Sequence, residues 1–130
     1  MRITPKTTYA VRCMAYLKDN ADKVVPLKTI AADTLIPHPF LSKILQNLVR
    51  HGHLASVKGK RGGFSLARPA GNISVYDIVR ATSGGRLLKT PCRNSTGDCG
   101  HYTSCKLRGV WKDLEGLASV YLRSHTLARL

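Results

Sequence analysis

Residues 27–66 read LKTIAADTLIPHPFLSKILQNLVRHGHLASVKGKRGGFSL, and this stretch decides the fold. In its middle, Leu41, Ile44, Leu45 and Leu48 recur at i, i+3, i+4 and i+7, the apolar stripe of a helix facing a core. Pro39 suits the first turn, where a missing N–H costs no hydrogen bond, and Gly52 supplies a C-terminal cap. A shorter helix over Leu27–Leu35 precedes it, with Ile30, Ala31 and Leu35 on one side and Pro37 closing it. Only Ile36-Pro37-His38 separates the two, the outline of a helix-turn-helix. Leu54-Ala55-Ser56-Val57 and Phe64-Ser65-Leu66 then alternate as the strands of a hairpin around Lys58-Gly59-Lys60-Arg61-Gly62-Gly63. Helix-turn-helix followed by hairpin is a winged-helix outline.

The flanks extend it. Ala10, Val11, Met14, Leu17 and Ala21 place a helix over Thr7–Ala21. Ser74-Val75-Tyr76-Asp77 fits a capping box with Asp in place of Glu. The helix it opens carries Val75, Ile78 and Val79 on one face, continues weakly through Thr82, and ends at Gly84-Gly85. Residues 86–104 read as irregular. A last helix starts near Cys105 with a stripe of Leu107, Val110, Trp111, Leu114, Leu117, Ala118, Tyr121 and Leu122. So long a stripe at the end of a small domain reads as a dimerisation helix, crossed or antiparallel with its mate; the alternative is a terminal helix docked on its own domain. The expected fold is mainly α with a small β-hairpin: a winged helix-turn-helix domain over 1–85, a cysteine-bearing loop over 86–105, and a dimerisation helix and tail over 106–130.

The 130 residues carry 21 Lys+Arg against 7 Asp+Glu, a formal net charge of +14. Residues 1–75 hold 12 Lys+Arg and 3 Asp, and residues 76–130 hold 9 Lys+Arg and 4 acids, so the charge belongs to a folded surface rather than a basic tail. Such a chain attracts polyanions. No apolar run approaches the ~20 residues of a membrane span. Met-Arg-Ile-Thr-Pro-Lys lacks a signal-peptide core, so a cytoplasmic protein is expected. An enzyme is disfavoured: the one Glu has no clustered carboxylate partner, and no nucleophile motif or dinucleotide fingerprint occurs. No small-molecule substrate is expected.

For double-stranded DNA the fit is direct. A helix enters the major groove and reads bases near its N-terminus. That region presents Phe40, Ser42, Lys43 and Gln46, and the wing adds Lys58, Lys60 and Arg61 on a glycine-rich loop. Arg favours the negative potential of a narrow minor groove. The loop lacks the spacing and the Lys-Ser/Thr of a nucleotide-binding phosphate loop. A basic RNA-binding protein is the competing class, distinguished by indifference to duplex sequence.

Cys92, Cys99 and Cys105 form C-x6-C-x5-C, without the C-x2-C pairs of structural zinc. Thiolates on a pliable loop select zinc or an iron–sulfur cluster, the wider gaps suiting the larger group. A reversible disulfide switch is the metal-free alternative. His101, Asp98, a group from a second subunit or a small molecule are candidates for a fourth ligand. Arg93 and Lys106 flank the thiols, and Cys13, alone on the first helix, reads as a small buried hydrophobe.

The chain resembles the iron–sulfur winged-helix regulators of the IscR, NsrR and RirA types. The resemblance runs through Met1-Arg-Ile-Thr4, Tyr9-Ala10-Val11, the Phe40-to-Gly52 segment, Val57-Lys58-Gly59-Lys60-Arg61-Gly62-Gly63-Phe64-Ser65-Leu66, Ile73-Ser74-Val75, Asp77-Ile78 and Thr126-Leu127. It implies a homodimeric repressor or activator that binds a DNA operator differently with and without a 4Fe-4S or 2Fe-2S cluster on Cys92, Cys99 and Cys105. Two positions depart. Arg108 stands where the IscR type has a histidine ligand, and Thr8 where the NsrR type has an aspartate. The resemblance then implies an exposed, labile cluster suited to sensing nitric oxide, redox state or iron supply.

Overall fold

The computed structural model describes residues 3–85, 87–88, 99–101 and 103–130. Helices α1 (Pro5–Asp19), α2 (Leu27–Thr34) and α3 (His38–Arg50) come first, then strands β1 (Leu54–Val57) and β2 (Gly63–Leu66), then α4 (Val75–Ser83) and α5 (Leu107–Ser124). The architecture is mainly helical with one two-stranded antiparallel sheet.

Each helix has a local cause. Thr4 caps α1, its Oγ1 accepting from Thr7 N at 3.3 Å, and Pro5 occupies the first turn. Ser74 and Asp77 close the capping box of α4: Ser74 N and Oγ donate to Asp77 Oδ2 at 2.9 and 2.7 Å, and Asp77 N donates to Ser74 Oγ at 3.2 Å. Gly84 ends α4 with a left-handed φ of 72°. Helix α3 turns Leu41, Ile44, Leu45 and Leu48 wholly inward. Each such side chain contributes about 1.5–3 kcal/mol on burial. They pack with Ala10, Cys13, Met14 and Leu17 of α1, Ile30 of α2, and Ile73, Ile78 and Ala81 around α4.

Three expectations are corrected. Leu35 is 82% exposed rather than core-facing, because it leaves α2 in the left-handed conformation (φ 56°). That turn redirects the chain, so Thr34 and Ile36 are buried on either side of it. Ala21 lies beyond the end of α1 and is exposed, since the helix stops at Asp19 and the backbone N–H groups of Asn20 and Ala21 close onto Leu17 O and Lys18 O. Thr82, a weak member of its apolar face by type, is buried: its hydroxyl contacts Ile78 O and Val79 O at 3.1 Å and Thr7 Oγ1 at 3.3 Å.

After α5 the chain returns to the core. Leu127 is fully buried in a 3-10 turn, its N–H donates to Ile73 O at 2.7 Å, and Val75 N donates to His125 O at 2.8 Å. Helix α5 itself buries no residue in the single chain. Arg123 lies 3.7 Å above the Tyr76 ring, linking α5 to α4.

Candidate DNA-binding interface and cysteine loop

Helix α3 has one buried face and one exposed face. With the Leu41–Leu48 stripe inside, Phe40, Lys43, Gln46 and Arg50 face outward and Ser42 is half-buried. Arg50 extends that outward face beyond the residues expected from sequence; its spacing of seven from Lys43 is the signal that finds it.

The wing is bolted to the end of this helix. His53 N donates to Leu48 O at 2.9 Å, Ala67 N donates to His53 O at 3.1 Å, and Arg68 Nη2 donates to His53 Nδ1 at 2.6 Å. The ring nitrogen therefore accepts, and the buried imidazole is neutral. Burial first and the Arg68 charge second hold the His53 pKa below its ordinary value, against the opposing pull of Asp77. Leu54 pairs with Leu66 and Val57 with Gly63, and Val25 adds a bridge in which Val25 N and Phe64 N each donate to the other's carbonyl at 2.9 Å.

Lys58, Lys60 and Arg61 are exposed at the tip, and among the described residues the recorded ion pair is elsewhere, between Lys18 and Asp19. The wing glycines are needed inside the protein. A Cβ on Gly63 would lie 2.2 Å from Val25 O, and one on Gly62 2.3 Å from Val57 O. At the other end of α3, Lys6 of α1 joins Pro39, Phe40 and Lys43 around a groove of about 300 Å3. Lys6 carried no signal in the sequence, because its place beside α3 depends on how α1 and α3 pack.

On the cysteine loop, Cys99 and Cys105 are half-buried thiols and His101 is exposed. The backbone turns between them, Ser104 N donating to His101 O at 3.1 Å, and Arg108 N donates to Cys105 O at 3.3 Å as α5 begins. Cys92, Arg93 and Asp98 lie outside the described residues. Among the described residues no three Cys, His, Asp or Glu side chains converge. Cys13 is different in kind: fully buried, with its thiol pushed up to about 12 by burial.

Of the α5 stripe, Leu107, Val110, Trp111, Leu114, Leu117 and Tyr121 are exposed, Ala118 and Leu122 are half-buried, and Val120 adds a further exposed apolar side chain. Leu122 lines a groove with Val75 and Val79 of α4. Among the described residues no helix is long and apolar enough to cross a membrane.

Comparison with known proteins agrees with this fold. The chain is 32% identical over 127 residues to protein aau3 of Rhizobium meliloti, covering 98% of this chain and 82% of that protein. It is 31% identical over 131 residues to the HTH-type transcriptional regulator IscR of Cronobacter sakazakii, covering 100% and 80%. The solved structure of T. potens IscR superposes with a TM-score of 0.76 at 27% identity, over 99% of this chain and 85% of that one. CymR, the global cysteine regulator of B. subtilis, shares the fold at the same TM-score of 0.76 with 22% identity, over 99% and 95%. A relative of 32% identity from Aquifex aeolicus is, like IscR, named as an HTH-type transcriptional regulator, a non-enzymatic class. A model of the Rrf2 family matches residues 3–130, and the chain belongs to that family, described as iron-dependent transcriptional regulators.

Proposed function

We propose that this DNA-binding regulator acts in the cytoplasm as a homodimeric repressor, and that Cys92, Cys99 and Cys105 hold an iron–sulfur cluster that reports nitric oxide, redox state or iron supply. The observation that carries the reading is the joint between α3 and the wing. The His53 bonds to Leu48, Ala67 and Arg68 fix the wing cations relative to the outward face of the recognition helix. On this reading the N-terminal half of α3 enters the major groove, with Ser42 and Gln46 toward the bases and Phe40 and Lys43 toward the strand at its edge, and Lys58, Lys60 and Arg61 follow the backbone or the minor groove beside it.

The exposed apolar face of α5 supports a second copy as its cover, since a soluble monomer seldom leaves so continuous a patch in water. The donor chemistry of the loop fits a cluster: Cys99 and Cys105 are free, half-buried thiols, and Cys105 lies just before α5. Bound there, a cluster would supply reversible chemistry with the signal. The chain's own part is mechanical. Cys105 adjoins the start of α5 and α5 carries the dimer contacts, so tying or releasing the loop changes how two recognition helices are spaced.

The test is iron and sulfide content, with an absorption spectrum, on protein made anaerobically with ample iron. A brown protein that bleaches with nitric oxide or oxygen is expected, and Cys99→Ala should stay colourless while remaining a folded dimer. A colourless wild-type protein without iron would overturn cluster sensing and leave zinc or thiol redox as the control.

A further inference from the structure

The groove between the first turns of α1 and α3 is lined by Lys6, Pro39, Phe40 and Lys43. Phe40 is 54% exposed, yet its ring is held. Tyr9 meets it edge-on with centroids 6.1 Å apart at 64°, and the Arg12 guanidinium stands 5.8 Å from the Tyr9 centroid. Lys6 lies in the first turn of α1, which Thr4 caps, with Thr8 N donating to Thr4 O at 3.1 Å. Two lysines thus share a groove with two apolar rings, and neither is in an ion pair among the described residues. Two cations lining one groove favour an anion as its occupant.

A sugar–phosphate unit matches this chemistry: a charged phosphate for the ammonium groups, and an apolar deoxyribose face for the aromatic and proline rings. The groove also continues the outward face of α3 through Phe40 and Lys43. We propose that it grips one backbone phosphate and its deoxyribose from a strand of bound duplex DNA, with Lys6 and Lys43 on the phosphate and Phe40 and Pro39 against the sugar. This rests on the DNA-binding reading and deepens it. Helix α1 becomes a third contact element beside the recognition helix and the wing. Its contact is independent of sequence and sets the depth at which α3 enters the groove.

The test is fluorescence anisotropy of the full chain on two unrelated mixed-sequence duplexes across a salt series. Lys6→Gln should weaken both equally and reduce the slope of log Kobs against log salt by about 0.9 per bound protomer, the amount one phosphate contact contributes. Lys6→Arg should restore the slope. Phe40→Leu should weaken binding with the slope unchanged. Unfolding midpoints confirm that each variant folds. A Lys6→Gln protein with wild-type slope and affinity overturns the inference, and so does a loss confined to one of the two duplexes. If Arg61→Ala lowers the slope while Lys6→Gln does not, the failure belongs to this groove alone. If the wild-type protein binds neither duplex, or binds only an acidic peptide, the DNA reading falls and takes the groove with it.

Discussion

Arg68 donates to His53 Nδ1 across 2.6 Å, and this bond joins the end of the wing to the residue that leads from the recognition helix into β1. It requires a neutral imidazole, and burial together with the Arg68 charge disfavours the protonated ring. A base whose folded pKa is lowered binds fewer protons folded than unfolded. Its contribution is therefore fully present above the ordinary value of 6.5 and is lost as pH falls below it. Urea unfolding midpoints of the wild-type protein should drop between roughly pH 7 and pH 5, and His53→Gln should flatten that part of the profile. Identical slopes in the two proteins would refute the assignment. Asp77 does not confuse the window. Burial raises its pKa, but the Ser74 hydrogen bonds outweigh this and leave it below 3.8, so its own loss comes at more acid pH.

Gly63→Ala should destabilise the fold by at least ~1 kcal/mol, because the new Cβ meets the Val25 carbonyl rather than a side chain that could move aside. Urea denaturation checks the loss. DNA affinity should fall with it, since the Val25–Phe64 bridge that seats the wing must open.

Cys13 should resist alkylation in the native protein at pH 8, with its thiol near 12, while Cys99 and Cys105 react. Mass spectrometry of iodoacetamide-treated protein reads the pattern. Labelling of Cys13 at the rate of the loop cysteines would show that α1 opens readily.

Leu117→Glu should convert a dimer to a monomer without unfolding the winged-helix domain. Leu117 is 71% exposed and belongs to no buried cluster of the single chain. Sedimentation equilibrium should show the mass halved at a nearly unchanged melting temperature. A retained dimer would place the interface elsewhere.

Arg61→Ala should weaken duplex binding and reduce the salt slope by about one, since an exposed wing tip supports no core contact. Anisotropy measures both. Unchanged affinity would remove the wing from the interface.

Much of this molecule is set by local rules. The stripe at Leu41, Ile44, Leu45 and Leu48, the Ser74–Asp77 capping box and the hairpin at Leu54–Leu66 were legible because helix period, cap chemistry and strand alternation act over a few neighbouring residues. The residues proposed to face DNA followed, being the positions left over on the outer face. The sequence alone thus determined the element order, the winged-helix outline and the grouping of cations at one helix and one loop. Only the tertiary structure decided which way the chain leaves α2, and with it that Ile36 is buried while Leu35 is exposed. It also returned Leu127 to the core, set Gly63 against Val25, closed His53 on Arg68 and brought Lys6 beside Lys43. Each of those joins residues far apart in the chain or across a turn whose direction no periodicity encodes. They are settled by how surfaces pack once the helices exist.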